Sequence, residues 1–378
     1  MEELTTLAAD LATIPRHEGE REAGDFIESW LRTETDADVT RDDGLLDTGD
    51  GEPPGGGGRD DVDRGGNVIA RKGSGASLAL VGHHDVVPPD ASQVDGEEYV
   101  IEWRDGRLRG RGTADMTGAV AAAMLAFRDA DPAGELVFVS FVGEESGCLG
   151  SAAAIDRGFD PDYAVVGEGS TDYATPGVTD VVIAHNGRRG GTITAQGAAA
   201  HASEPETGAN AIYRAADAVE VVRDIDPPAT TVRGHDVSGS VAVTEIEGGS
   251  AWNVIPESCA VTVDERTVPG ARLPIERVEA IDGISWRIDQ DLPPMRCSDG
   301  AFADAVLDAA GTCQEGVPEE VTKPAATDAG RLAETGTACV VCGPAEPGEA
   351  HTATESVSID ALARCYRIYR NVAETWPR

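Results

Sequence analysis

The stretch Glu135-Leu-Val-Phe-Val-Ser-Phe-Val142 constrains this chain more than any other. It is a strongly β-type run of valine and phenylalanine, with no polar alternation except Ser140. A strand with no polar face has to be covered on both sides. Four shorter runs share its character: Asn67-Val-Ile-Ala, Ser77-Leu-Ala-Leu-Val, Tyr163-Ala-Val-Val and Ala338-Cys-Val-Val-Cys. Helical spacing lies between and around them. It covers Leu4 to Leu31 with a break near Pro15, the alanine-rich Thr117 to Asp129, Ala152 to Asp156, and Phe302 to Ala309. Strands alternating with helices predict an α/β fold whose central sheet is mostly parallel. Residues 42–66, rich in Gly, Pro and Asp, read as a surface loop.

From about residue 181 the pattern changes. Thr192-Ile-Thr-Ala, Ser240-Val-Ala-Val-Thr-Glu-Ile and Ala260-Val-Thr-Val-Asp-Glu-Arg alternate apolar and polar residues, as half-exposed strands do. Ala209 to Arg223 has helical spacing, and a second helix can be drawn over Pro274 to Ala280. After Pro293 the first pattern returns. At 378 residues the chain has room for two cores. The expectation is one domain over 1–180 and 288–378, interrupted by a smaller α+β domain over 181–287.

Charge narrows the possible partners. Asp and Glu number 68 against 30 Lys and Arg, a net charge of −38 spread along the whole chain. So acidic a surface repels nucleic acid and anionic membranes. Only Lys72 and Lys323 are lysines. A surface of this kind points to a protein built for high salt, where the Debye length falls to ~3 Å and self-repulsion is screened; an acidic protein of an ordinary cytoplasm is the plainer alternative. No apolar run approaches the ~20 residues of a membrane helix. The start, Met1-Glu2-Glu3, lacks a basic flank and apolar stretch, so a cytoplasmic protein is expected. Seven cysteines, an odd number, do not read as a disulfide framework. Cys339-Val-Val-Cys342 has metal-like spacing but no second pair, and it falls in a buried strand, so core cysteine is the better reading.

Chemistry gathers at strand ends. His83 and Asp85 lie two apart after the strand Ser77–Val81, so on an extended backbone they point the same way. One carboxylate beside one imidazole is how a metal ligand is oriented. Asp115 lies just before the alanine-rich helix, Glu144-Glu145 follow the strand ending at Val142, Glu168 follows that ending at Val166, and His351 comes after Cys342. In an open α/β sheet these ends share the edge where ligands bind. Two histidines and three carboxylates suit borderline divalent ions such as zinc or cobalt, and suffice for two ions if one carboxylate bridges. Any one of these acids alone would be a solvated surface group.

Gly82-His-His-Asp-Val-Val-Pro88, Gly110-Arg-Gly-Thr-Ala-Asp-Met116, Gly143-Glu-Glu-Ser-Gly147, Val166-Gly-Glu-Gly169 and Gly348-Glu-Ala-His351 resemble, in order, the motifs of the dizinc aminoacylase and carboxypeptidase family. Acetylornithine deacetylase, succinyl-diaminopimelate desuccinylase and glutamate carboxypeptidase belong to it. The resemblance covers nearly the whole chain. It implies a zinc-peptidase-like catalytic α/β domain with an inserted lid that also forms a homodimer. It implies two divalent ions, zinc or cobalt, with His83, Asp115 and Glu168 on one, and the bridging Asp115, Glu145 and His351 on the other. Asp85 would orient His83, and Glu144 would be the general base that moves a proton from the attacking water to the leaving amine. His84 would not be a ligand. Gly169 stands where the family more often has proline, which alters loop stiffness and leaves the ligand chemistry alone.

The lid stretch Ala200-His201-Ala-Ser203-Glu-Pro205-Glu-Thr-Gly208-Ala-Asn210 extends the resemblance. His201 would stabilise the oxyanion in the partner subunit's site, although a lone histidine in a turn is more often structural. Asn253 and Arg266 match substrate-contacting positions. Thr327 matches a substrate-side segment, with Ala325-Ala326 in place of its usual glycines. Asn186-Gly187-Arg188-Arg189-Gly190 resembles the lid entry of desuccinylases. A succinyl group carries its own carboxylate, so Arg188 would serve it while Arg266 holds that of the amino acid. The segments around His201 and the Arg266 turn resemble acetylornithine deacetylases equally. The implied activity is hydrolysis of a small N-acyl amino acid, the desuccinylase slightly ahead, with a carboxypeptidase or dipeptidase as runner-up. A non-catalytic scaffold would be expected to lack Glu144 or a ligand, and all are present.

Overall fold

A computed structural model describes residues 2–42 and 62–377, so most of the expected loop over 42–66 lies outside the described residues. The larger sheet runs in the order Asp38–Asp42, Asn67–Gly73, Glu135–Phe141, Ser77–His83, Tyr163–Val166, Ala338–Val341 and Val181–His185. Beyond the last of these, Met295–Arg296 and Glu320–Lys323 both pair with Val181–His185. The four central strands are mutually parallel. The strands at 38–42, 67–73 and 181–185 join antiparallel at either side.

Both faces of this sheet are covered, which accounts for the unbroken apolar runs. On one face lie Glu2–Ala12, Arg21–Glu34, Gly118–Asp129, Gly300–Cys313 and Ile359–Thr375, which contribute to one apolar cluster with Leu78, Leu80, Phe138 and Val165. The opposite face packs Val81, Val139, Phe141 and Val166 against Ala154, Ala329 and Leu332 of the short helices Leu149–Asp156 and Asp328–Glu334. The helix Gly118–Asp129 is buried from Gly118 to Phe127. Its alanines let it lie close to the sheet and to the helix Ile359–Thr375 at once. Six of the seven cysteines are buried and all are free, Cys339 and Cys342 within a buried strand.

A second sheet of four antiparallel strands runs Ser240–Gly248, Ser258–Thr267, Gly187–Gln196, Ile284–Leu292. It packs its inner face on the helix Ala211–Arg223 around Ile193, Val261 and Ala215. The chain passes between the sheets at Asn186 and again at Pro293–Pro294. The strand Val181–His185 therefore belongs to the larger sheet and Ile284–Leu292 to the smaller, a few residues beyond the expected divisions at 181 and 288. The segment drawn as a helix over 274–280 is a 3-10 turn, Ile275–Ala280. Among the described residues no helix is long and apolar enough to cross a membrane.

Candidate metal centre

The parallel strands place the chemistry at one edge. His83 ends its strand opposite Phe141, and Val166 lies opposite both Val81 and Val341. After Phe141 the chain turns at Gly143, whose φ of 61° is left-handed, and presents Glu144 and Glu145. Glu168 follows Val166 by two residues. Asp115 sits in the irregular segment Thr113–Thr117 ahead of the helix Gly118–Asp129, and its φ and ψ of −120° and 92° are not helical. His351, itself at φ 64°, comes over from the far side.

Asp115 stands between the two imidazoles. Its Oδ1 is 3.1 Å from His83 Nε2 and its Oδ2 is 3.1 Å from His351 Nε2. Glu168 Oε1 lies 3.5 Å from His83 Nε2, and Glu145 Oε1 lies 2.8 Å from His351 Nε2. Donor atoms of Asp115, Glu145 and His351 all fall within 4.8 Å of one another, and so do those of His83, Glu144 and Glu168. Ligands of a tetrahedral zinc ion, bound at ~2.0–2.2 Å, stand ~3.3–3.6 Å apart. The nitrogen and oxygen donors present fit a pair of such ions. Proximity alone gives Glu144 to the donor set as readily as to a proton-transfer role.

Buried groups hold this constellation. Asp85 does more than face His83, whose Nδ1 is 3.3 Å from its Oδ1. It also accepts from the backbone N–H of Glu144 and of Glu145, at 3.0 Å each, so one carboxylate orients an imidazole and pins the acidic turn. Asp85→Asn places a donor where acceptors are required. A loss of about 10- to 100-fold in metal affinity or activity is expected. Competition with a chelator reads it, and unchanged affinity and rate would remove this role.

Three supporting groups escaped the sequence reading. Glu355, fully buried, accepts from the N–H of Ala114 and Asp115 through Oε1 and from Arg111 through Oε2 at 2.5 Å. Lys323 donates to Glu168 Oε2 at 3.0 Å. Glu20 accepts from Gly143 N–H at 2.8 Å and pairs with Arg64; burial and nearby Asp85 push its pKa up to about 8. Position four after His351, and the rarity of lysine, were the available signals for the first two. His84 bonds to Ser140 Oγ at 2.9 Å, and burial lowers its pKa to about 3.

The protein's charges leave the two imidazoles holding protons. Burial disfavours the His83 imidazolium, yet Asp115, Asp85 and Glu168 outweigh it and hold its pKa well above the ordinary value. Asp115 and Glu145 lift His351 to about 10. Burial, reinforced by Glu168, Asp328 and Glu145, raises Glu144 well above the carboxylate range. Burial and Asp115 raise Glu145 to about 7. A metal ion takes imidazole only in its neutral form. Zinc uptake near pH 7 should therefore release protons, and affinity should rise with pH. Calorimetry in buffers of different ionisation enthalpy checks this; a heat independent of buffer would contradict it. Because His351 is raised from its unfolded value of ~6.5, its contribution to metal-free stability is complete below that pH. It is lost as pH rises through about 10.

The remaining expected residues lie on the smaller sheet or away from the centre. Arg188 and Arg266 face each other across adjacent strands. Both hold Asp264, with Arg188 Nε at 2.7 Å and Arg266 Nε at 2.8 Å, and Arg188 Nη1 also donates to Gln290 at 2.9 Å. His201 is exposed, its Nδ1 2.7 Å from Ser203 Oγ, and it belongs to neither donor group. Asn253 is next to it, its carbonyl accepting from Ala202 N–H at 2.9 Å. Thr327, expected on the substrate side, is 2% exposed. Its hydroxyl caps the helix Asp328–Glu334 through Ala329 N–H and meets His185 Nε2 at 3.1 Å, so the side chain is taken up by packing. Gly169 lies where an added Cβ would be 2.7 Å from the Ala345 carbonyl oxygen, which explains the absence of a larger residue.

A parallel-centred α/β sheet with paired imidazole–carboxylate groups at its carboxyl edge defines a metal-dependent hydrolase. The model of Peptidase family M20/M25/M40 matches residues 79–375. The chain belongs to that family. It is 31% identical over 333 residues to the acetylornithine deacetylase of Myxococcus xanthus, covering 79% of this chain and 81% of that protein. It is 29% identical over 337 residues to the succinyl-diaminopimelate desuccinylase of Xanthomonas euvesicatoria, covering 82% and 86%. Among solved structures, aminopeptidase PepT from Bacillus cereus shares the fold, with a TM-score of 0.74 at 20% identity over 99% of this chain and 98% of that one.

Proposed function

We propose that this protein hydrolyses the amide bond of a small N-acyl amino acid, of the succinyl-diaminopimelate or acetylornithine type, the former slightly favoured. The observation that carries the proposal is Asp115 between His83 and His351, with Glu144, Glu145 and Glu168 around them. In this reading His83, Asp115 and Glu168 hold one divalent ion, and Asp115, Glu145 and His351 a second. Zinc is the preferred ion and cobalt an alternative. Bound there, the two ions supply polarisation of the amide carbonyl and acidification of the attacking water.

Glu144 takes the proton from that water and gives it to the leaving amine. Its carboxylate lies within 4.8 Å of donor atoms of His83 and Glu168, so it is placed beside the water that an ion there would bind. Asp85 keeps the turn carrying Glu144 in place. Arg188 and Arg266 recognise carboxylates, and a substrate carboxylate would compete with Asp264 for them. His201 stabilises the oxyanion in the site of a second copy, and Asn253 contacts substrate. A homodimer through the domain at 181–287 fits the strand Ser240–Gly248, an open sheet edge, and the exposed Tyr213, Ile246 and Trp252 near it. Thr327 contributes only through the helix it caps.

A cytoplasmic, salt-adapted enzyme that binds neither nucleic acid nor membrane accords with a net charge of −38. The test is amine release in molar salt with zinc or cobalt, from N-succinyl-diaminopimelate, N-acetylornithine, N-acetyl-lysine and a dipeptide in parallel. Preference for one acyl substrate is expected. Turnover of the dipeptide alone would transfer the proposal to the peptidase reading, and no turnover with two ions bound would overturn it.

A further inference from the structure

Of the two lysines in 378 residues, Lys72 serves the backbone, donating to the carbonyls of Arg128 at 3.2 Å and Ala130 at 2.6 Å. Lys323 serves the candidate centre. It ends the strand Glu320–Lys323 and is 9% exposed. Its Nζ lies 3.0 Å from Glu168 Oε2 and 3.3 Å from the Gly169 carbonyl oxygen. The other oxygen, Glu168 Oε1, faces His83. The two oxygens of one carboxylate are thus divided between a fixed cation and a donor group. Among the described residues Asp115, Glu145 and His351 form ion pairs with one another and with His83, and none of the three pairs with a lysine or arginine.

We propose that Lys323 makes the two metal positions unequal: it competes with an ion for Glu168 and confines that carboxylate to one ligating oxygen. The proposal rests on the reading of Glu168 as a metal ligand. A buried ammonium near a divalent ion opposes binding strongly, and salt does not screen it as it would a surface charge. A lysine suits the task because its compact ammonium can hold a single oxygen, whereas the planar fork of an arginine engages both. Lys323 is a positioning residue. The ion beside Glu168 is then the weaker bound, and the ion between Asp115, Glu145 and His351 loads first.

Stepwise titration of the metal-depleted full chain with Zn²⁺, and the visible spectrum with Co²⁺, test this. In Lys323→Met the weaker step should tighten roughly 10- to 100-fold, the stronger step staying as it was. The Co²⁺ bands of the weaker position should also lose intensity as the freed oxygen raises the coordination number. Lys323→Gln keeps a donor on Glu168 Oε2 without the charge, so its affinity should tighten while its spectrum stays that of the wild type. Should Lys323→Met fold only with metal, chelator-driven release from protein purified in zinc reads the same difference as slower loss. Unchanged or weakened binding in both variants, with two ions on the wild type, overturns the proposal alone. A wild type that binds fewer than two ions overturns the underlying reading, and this proposal with it.

Discussion

Glu144→Gln is expected to lower kcat by roughly 100- to 10,000-fold while leaving zinc content and folding unchanged. Glutamine keeps the shape and the short contact to Cys148, whose Sγ lies 3.5 Å from Glu144 Oε1, but has no carboxylate to accept a proton. The alternative offered by proximity, Glu144 as a donor to the His83 group, predicts something else: a fall in metal content in step with activity. Metal analysis beside initial rates separates the two. Because burial among Glu168, Asp328 and Glu145 raises the Glu144 pKa, removing its ionisable group also relieves repulsion in the metal-free protein. A slightly higher Tm without metal is expected in the variant.

Glu355→Ala is expected to act in the opposite sense, on the fold first. Arg111 and Glu355 are both buried, their side chains 4% and 0% exposed. Deleting one partner strands the other's charge, and breaking such a pair costs about 3–5 kcal/mol. The N–H groups of Ala114 and Asp115 lose their acceptor as well. Denaturant unfolding should show the loss, and zinc affinity should fall because the carboxylate between the two imidazoles is no longer fixed from behind. Glu355→Gln keeps an acceptor for those N–H groups without the charge, so it should recover part of the metal affinity and less of the stability. A stable Glu355→Ala protein with wild-type zinc affinity would show that Asp115 is held by other means.

The contrast between these residues shows what could be read from sequence. Strand ends followed by His83, Glu144-Glu145 and Glu168 were legible because a continuous apolar run marks a covered strand, and the residue after it falls at the edge of the sheet. The order of motifs did the rest for Asp115 and His351. Glu355 and Lys323 were not legible. Their roles depend on contacts across 240 and 155 positions of sequence, and nothing local distinguishes a buried acid from the many solvated ones in so acidic a chain. Thr327 shows the converse limit. A matching position gives no sign that the hydroxyl is already used as a helix cap. The strands Val181–His185 and Ile284–Leu292 blurred the domain limits because each runs close to a crossing point, where alternation and burial change within a few residues.

The way the smaller sheet joins the larger one bears on how such a chain could arise. Its first and last strands, Gly187–Gln196 and Ile284–Leu292, are hydrogen-bonded neighbours, with Arg188 opposite Leu292. On the other side of the crossing His185 lies opposite Met295. Entry and exit are therefore side by side, and each sheet has its own helix packing and its own apolar cluster. A genetic exchange that cut the ancestral gene at these two points would have moved a self-contained cassette. The host strands it left behind would already be close enough for a short turn to rejoin.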